Sequence, residues 1–211
     1  MTAASALLAA ALVNRIALVN DLQAGQFANA LTRAEDADDF VNSSSAIFGL
    51  TQLVIVVVFM IWMFRAAKNH EALGRQGPRF GPGWSIGAWF IPLANFVIPV
   101  LIVQDLWRGS ERATLRGDPT WRRAPGSTLV GCWWAAWVVA AVLRFANSGA
   151  GLDGRTSLDD IEASNTVALV GVVATGVAAI LALLVVRALS RRQLDCLRAQ
   201  RSEYEAGAPA A

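Results

Sequence analysis

Residues Trp84–Trp107 read WSIGAWFIPLANFVIPVLIVQDLW, an apolar stretch broken by Pro92 and Pro99. Arginine and lysine flank it on both sides. Arg65, Lys68, Arg75 and Arg79 precede it, and Arg108, Arg112, Arg116, Arg122 and Arg123 follow. A segment that crosses a bilayer leaves its basic flank on one face, because Lys and Arg are retained on the cytoplasmic side. Two basic flanks predict that this stretch enters the membrane, turns and leaves by the face it entered.

The remainder of the chain fits that expectation. At 55% hydrophobic and 16% charged, with a mean hydropathy of +0.45, it is too apolar for an ordinary soluble domain. Four further stretches approach the roughly 20 apolar residues that a membrane helix needs: residues 3–20, 46–64, 128–146 and 166–186. The first is interrupted by Asn14 and Arg15. No Lys or Arg precedes it, so a span is preferred over a cleaved signal peptide.

Charge orients the spans. Asp21–Ser45 sets Arg33 against Asp21, Glu35, Asp36, Asp38 and Asp39, and Asn147–Asn165 sets Arg155 against Asp153, Asp159, Asp160 and Glu162. Every basic residue other than Arg15, Arg33, Arg144 and Arg155 lies beside Trp84–Trp107 or in the tail from Arg187. The expected architecture is therefore all-α: one membrane domain over residues 1–211, a bundle of four transmembrane helices around a proline-broken re-entrant hairpin at 84–107. Both termini are cytoplasmic, with a tail at 187–211. Trp62, Trp84, Trp107, Trp121, Trp133 and Trp134 then fall near cytoplasmic ends, where indoles favour the interface.

Local signals add detail. Ser43–Ser45 offer caps for a helix running to Phe64, and Gly74 to Gly83 form a loop rich in Gly and Pro. A helix is expected to leave the hairpin over Val100–Leu115. Non-helical backbone at membrane depth needs cover from protein or water, so the tip around Pro92–Asn95 is expected to be enclosed by the spans. Gly171, Thr175 and Ala179, opposite Gly131, Ala135 and Ala140, predict close packing of the last two spans.

The run Phe59-x-x-Trp62-x-x-Arg65-x-x-x-Asn69-x-x-x-Leu73-Gly74, followed by Pro82-x-Trp84-x-x-Gly87-x-Trp89-Phe90-Ile91-Pro92-Leu93-Ala94-Asn95, Pro99 and Asp105-Leu106-Trp107-Arg108, resembles a known family. It is similar to the domain of unknown function 4328 family, small multi-spanning membrane proteins of high-GC Gram-positive bacteria. The resemblance is specific over Phe59–Ser110 and looser from Phe40 to Gln193. It implies membrane location and carries no catalytic set or cofactor.

Candidate polar sites follow from cost. Arg15 and Arg144 lie within apolar helices, where arginine is expensive. They either form an anion site for a lipid headgroup or solute, or reach outward to Asp21, Asp38, Asp39, Asp159 or Asp160. Arg65, Asn69, Asn95, Gln104 and Asp105 are expected to converge beneath the hairpin. There they form either a polar vestibule for a cation, or a structural set in which Asp105 pairs with Arg65 and Asn95 satisfies freed backbone groups. His70 reads as a solvated loop residue just past a span.

No metal set, phosphate-cradling loop or nucleophile-base arrangement stands out. Cys132 and Cys196 form no framework. The expectation is a non-catalytic protein of the bacterial cytoplasmic membrane without a cofactor: an accessory, scaffold or sensor component contacting membrane lipids, a protein partner or a second copy of itself. A small-solute transporter or channel gated by the hairpin is the alternative. Nucleic acid is not an expected partner, since topology accounts for the arginines.

Overall fold

The computed structural model describes residues 2–75, 77–111, 119–150 and 158–207; the expectations placed on Arg112, Arg116, Asp153 and Arg155 fall outside them, and the helix expected to reach Leu115 stops at Gly109. Among the described residues the chain is helical without strands: α1 (Thr2–Gln23), α2 (Ala30–Ala72), α3 (Trp84–Gly87), α4 (Ile98–Gly109), α5 (Thr128–Ala150) and α6 (Leu158–Gly207), with 3-10 turns at Ala88–Phe90, Ala94–Phe96 and Pro119–Arg123. Four of these helices contain stretches long and apolar enough to cross a membrane: Ala3–Gln23, Ala30–Ala72, Thr128–Asn147 and Asp159–Ser202. The fold is that of an all-α membrane protein.

Two helices run beyond their apolar stretches. At 43 residues, α2 is about 65 Å long at about 1.5 Å per residue, twice the hydrocarbon thickness of about 30 Å. It begins at Ala30, so the expected acidic loop before Ser43 is helical and Ser43–Ser45 are not caps. No Gly or Pro interrupts residues 30–48, and Ser44 is buried. The tail from Arg187 is likewise a continuation of α6, to Gly207.

Contacts divide the chain into two compact units, Met1–Ile55 with Ala135–Ile180, and Val56–Trp134 with Leu181–Ala211. In the first, Leu8 and Leu12 of α1 pack with Phe48 of α2 and Val172 of α6. Small residues allow close approach: Ala11 is wholly buried, and a Cβ on Gly171 would lie 3.7 Å from Leu143 Cβ. This places α5 against α6, as expected, but at Leu143; a Cβ on Gly131, in the small-residue row of α5, would meet nothing within 4 Å. Helix α1 ends in a Schellman motif: Gly25, at φ +80°, lets Gln26 N donate to Asp21 O and Gly25 N to Leu22 O. Arg15 pairs with Asp38 at 3.1 Å, and Arg33 pairs with Asp21.

In the second unit α2 stops by the same device. Gly74, at φ +71°, accompanies bonds from Gly74 N to Glu71 O and Arg75 N to His70 O. The segment 84–107 is not a rod. Proline leaves Ile91 extended, at φ −102° and ψ 114°, and the chain resumes α-helix only at Ile98, with Pro99 near its start where a missing N–H costs nothing. Helices α3 and α4 then lie against each other, so the chain doubles back.

The tip departs from its expected enclosure. Leu93 is 86% exposed and Phe90 73%, with Ile91, Phe96 and Val97 also exposed. Its backbone does not need cover from other spans, because it bonds locally. Asn95 N donates to Ile91 O, Phe96 N to Leu93 O and Val97 N to Ala94 O. A donor from outside, Trp134 Nε1, reaches Phe96 O at 3.3 Å.

Candidate functional site

The densest polar arrangement lies in the second unit, where α4 ends at Gly109–Ser110–Glu111. A helix C-terminus leaves carbonyls unpaired and carries partial negative charge. Arg75, just past the α2 terminus and buried, supplies both remedies. Its Nε donates to Gly109 O at 2.8 Å and its Nη2 to Glu111 O at 3.2 Å. Cys196 Sγ of α6 donates to Ser110 O at 3.2 Å. Arg192 of α6 pairs with Glu111 Oε2 at 2.7 Å, its guanidinium 4.4 Å from the centre of the Trp107 ring.

The same part of α6 grips the end of α2. Gln193 Nε2 donates to Ala66 O and accepts from Asn69 Nδ2 through Oε1, Gln200 Nε2 donates to Leu73 O, and Trp62 Nε1 donates to Ser190 Oγ. Leu189, Gln193 and Cys196 are all buried, and their spacing defines one helical face. That pattern is visible in the sequence of the supposed tail, and sequence reasoning missed it.

His70 is a second miss. It is buried within α2, not solvated in a loop, with its ring edge-on to Trp121 at 4.9 Å. Gly109 makes this possible: a Cβ there would lie 2.0 Å from His70 Cε1. Neither ring nitrogen has a hydrogen-bond partner. His70 stands six residues beyond Phe64, outside the apolar stretch. Burial, reinforced by the Arg75 charge and opposed by Glu71, lowers its pKa to about 4. Trp121 is wholly buried against it, so this indole is a core residue and not the interfacial one expected.

Between His70, Glu71, Pro78, Phe80 and Asp105 lies a cavity of about 10 Å³, room for a single water and not for a solute. Asp105, buried, faces Arg79 at 3.5 Å and Arg108 at 3.6 Å. Its expected partner Arg65 is exposed instead. A carboxylate on α4 needs cations that the hairpin brings to its own mouth, and Arg79 and Arg108 are those cations.

The five residues expected beneath the hairpin are therefore dispersed. Asn69 turns to α6. Gln104 clamps the start of α5, with Nε2 donating to Ser127 O and Oε1 accepting from Ser127 N, both at 2.9 Å. Ser127 Oγ in turn accepts from Val130 N as an N-cap. Asn95 bonds no freed backbone group; its Oδ1 is buried without a hydrogen-bond partner. In the first unit, Arg15 takes the outward reading and meets Asp38, while Arg144 lies beside Gly171. Among the described residues no three His, Cys, Asp or Glu side chains are placed to hold a metal ion.

An aromatic cluster flanks the hairpin. The Phe59 ring lies 5.3 Å from Trp62, 6.1 Å from Trp89 and 5.4 Å from Trp133, and Trp134 adjoins both Trp89 and Trp133. The family described as Domain of unknown function (DUF4328) matches residues 26–191. No curated protein and no solved structure matches the chain.

Proposed function

The chain belongs to the DUF4328 family, a domain of unknown function, and from that premise we propose that it is a non-catalytic component of the bacterial cytoplasmic membrane, an accessory, scaffold or sensor that works by contact with lipid or a partner protein. Both termini lie on the cytoplasmic face, and Trp84–Trp107 enters and leaves the bilayer there. The doubling back of α3 on α4, with Arg79 beside Asp105 at the mouth, supports re-entry.

One observation carries the non-catalytic reading: polar side chains of the second unit bind its own helix ends. Arg75 closes α4, Gln104 opens α5, and Gln193 and Gln200 hold α2. Groups spent on backbone carbonyls hold segments in place and leave little to act on a substrate.

The test is flux. Proteoliposomes containing the full chain are expected to pass common ions, amino acids and sugars no faster than protein-free vesicles. Flux that the chain confers and Asn95→Leu abolishes would overturn the reading in favour of a transporter or channel gated at the hairpin.

A further inference from the structure

The turn Phe90–Val97 presents apolar side chains outward from a backbone that has closed its own hydrogen bonds. Its depth can be read from neighbouring helices in the same unit. One stem, Trp89, packs on Phe59 of α2, and the other, Phe96, accepts from the Trp134 indole of α5. Phe59 lies six residues before Arg65, where the apolar stretch of α2 ends, and Trp134 lies six residues after Thr128, where α5 begins. At about 1.5 Å per residue, both markers sit about 9 Å from the polar ends of their helices. Half of a hydrocarbon core about 30 Å thick is about 15 Å. The turn between the stems is compact, closed by Asn95 N donating to Ile91 O, so it adds about 5 Å, the height of a single helical turn. The tip ends within one leaflet.

What covers it follows from its setting. Val57 and Val58 of α2, beside Phe59 in the chain, are exposed as the tip is, so apolar surface is presented outward near this level by a span as well as by the turn. Toward the polar side of this unit, Arg65, Lys68, Arg79, Arg122 and Arg123 are exposed, and Trp84, at the mouth, is half-exposed. Cations and an indole above an apolar tip match anionic headgroups above acyl chains.

We propose that Phe90, Ile91, Leu93 and Val97 form a wedge seated among the acyl chains of the leaflet on the basic face, with phospholipid as its occupant. The wedge rests on the re-entrant reading. It makes the hairpin a lipid-contacting element and not an enclosed gate.

The test uses the full chain with Cys132→Ala and Cys196→Ser, reconstituted in vesicles containing phosphatidylglycerol. Leu93→Cys carries an environment-sensitive fluorophore, and Val57→Cys serves as the lipid-facing control. Expected are blue-shifted emission at Leu93→Cys, at least about twofold quenching by doxyl-labelled phospholipid, and protection from iodide. Blue-shifted emission without doxyl quenching, where Val57→Cys is quenched, would mean that protein covers the tip, and iodide quenching would place it in water; either overturns the wedge. Gly81→Cys and Pro125→Cys report separately on the underlying reading. Labelling of both from one face keeps re-entry whatever Leu93→Cys does, and labelling from opposite faces ends it.

Discussion

The two units are held together by different chemistry. In the first, α1, α2, α5 and α6 meet through Leu8, Leu12, Phe48, Val172 and small residues such as Ala11 and Gly171, with ion pairs such as Arg15–Asp38 toward the acidic side. Lipid is as apolar as these side chains, so their association depends on close packing and not on escape from water. In the second, buried or half-buried side chains bind backbone: Arg75 to the end of α4, Gln104 to the start of α5, Gln193 to α2. Packing tolerates adjustment of a neighbour, whereas a buried carbonyl that loses its donor has no substitute. Single substitutions should therefore be far more costly in the second unit.

The contact between Gly109 and His70 gives the strongest way to break this contrast. Gly109→Val puts a branched side chain where even Cβ would overlap the imidazole, and His70 is walled in by Trp121. Loss of about 3 kcal/mol or more is expected, read as a collapse of the thermal transition in detergent. Gly49→Ala in the first unit meets nothing within 4 Å and should change little. Equal losses for the two would erase the distinction.

Acid should act through the same histidine. His70 stays neutral in the folded chain down to about pH 4, whereas in the unfolded chain it protonates near its ordinary value of 6.5. The unfolded state therefore binds more protons between those values. Stability is full above about pH 6.5, falls as pH drops through that window, and levels off below about pH 4. The total loss is about 3 kcal/mol. Denaturation midpoints of the native chain should follow this course. His70→Phe should flatten it, and an unchanged slope in that variant would assign the acid sensitivity elsewhere.

These residues also mark what the sequence makes legible. Local devices could be read: Pro92 breaks the hairpin segment, Pro99 sits in the first turn of α4, and the Gly74–Gly83 run ends α2. The apolar stretches are helices, and Gly171 meets α5. Misread were features whose cause lies far along the chain. His70 is buried by Gly109 and Trp121, neither near it in sequence. Asp105 meets Arg79 because the segment between them doubles back, and no spacing rule favours Arg79 over Arg65. The acidic stretch before Ser43 reads as a loop if charge is taken only as a topology signal, although it lacks Gly and Pro. The Leu189, Gln193 and Cys196 face is legible as a buried helical stripe, but the arginines interleaved with it read as a basic tail when charge alone is weighed.

A smaller pair of substitutions sharpens the comparison at matched chemistry. Arg75→Met removes the buried donor to Gly109 O and Glu111 O and should cost about 2–3 kcal/mol, because charged hydrogen bonds to orphan helix carbonyls are lost with no water to replace them. Arg15→Met removes a cation whose partner Asp38 is half-exposed, with side-chain exposures of 32% and 54%. Solvent screens that pair, so the loss should stay below about 1 kcal/mol. The added methionine packs readily in an apolar helix and offsets part of it. Measured as midpoint shifts in the same detergent, Arg75→Met should exceed Arg15→Met severalfold. If Arg15→Met proved the larger, the arginine of the first unit would hold more than Asp38, and an anion bound between Arg15 and Arg144 would become the account to pursue.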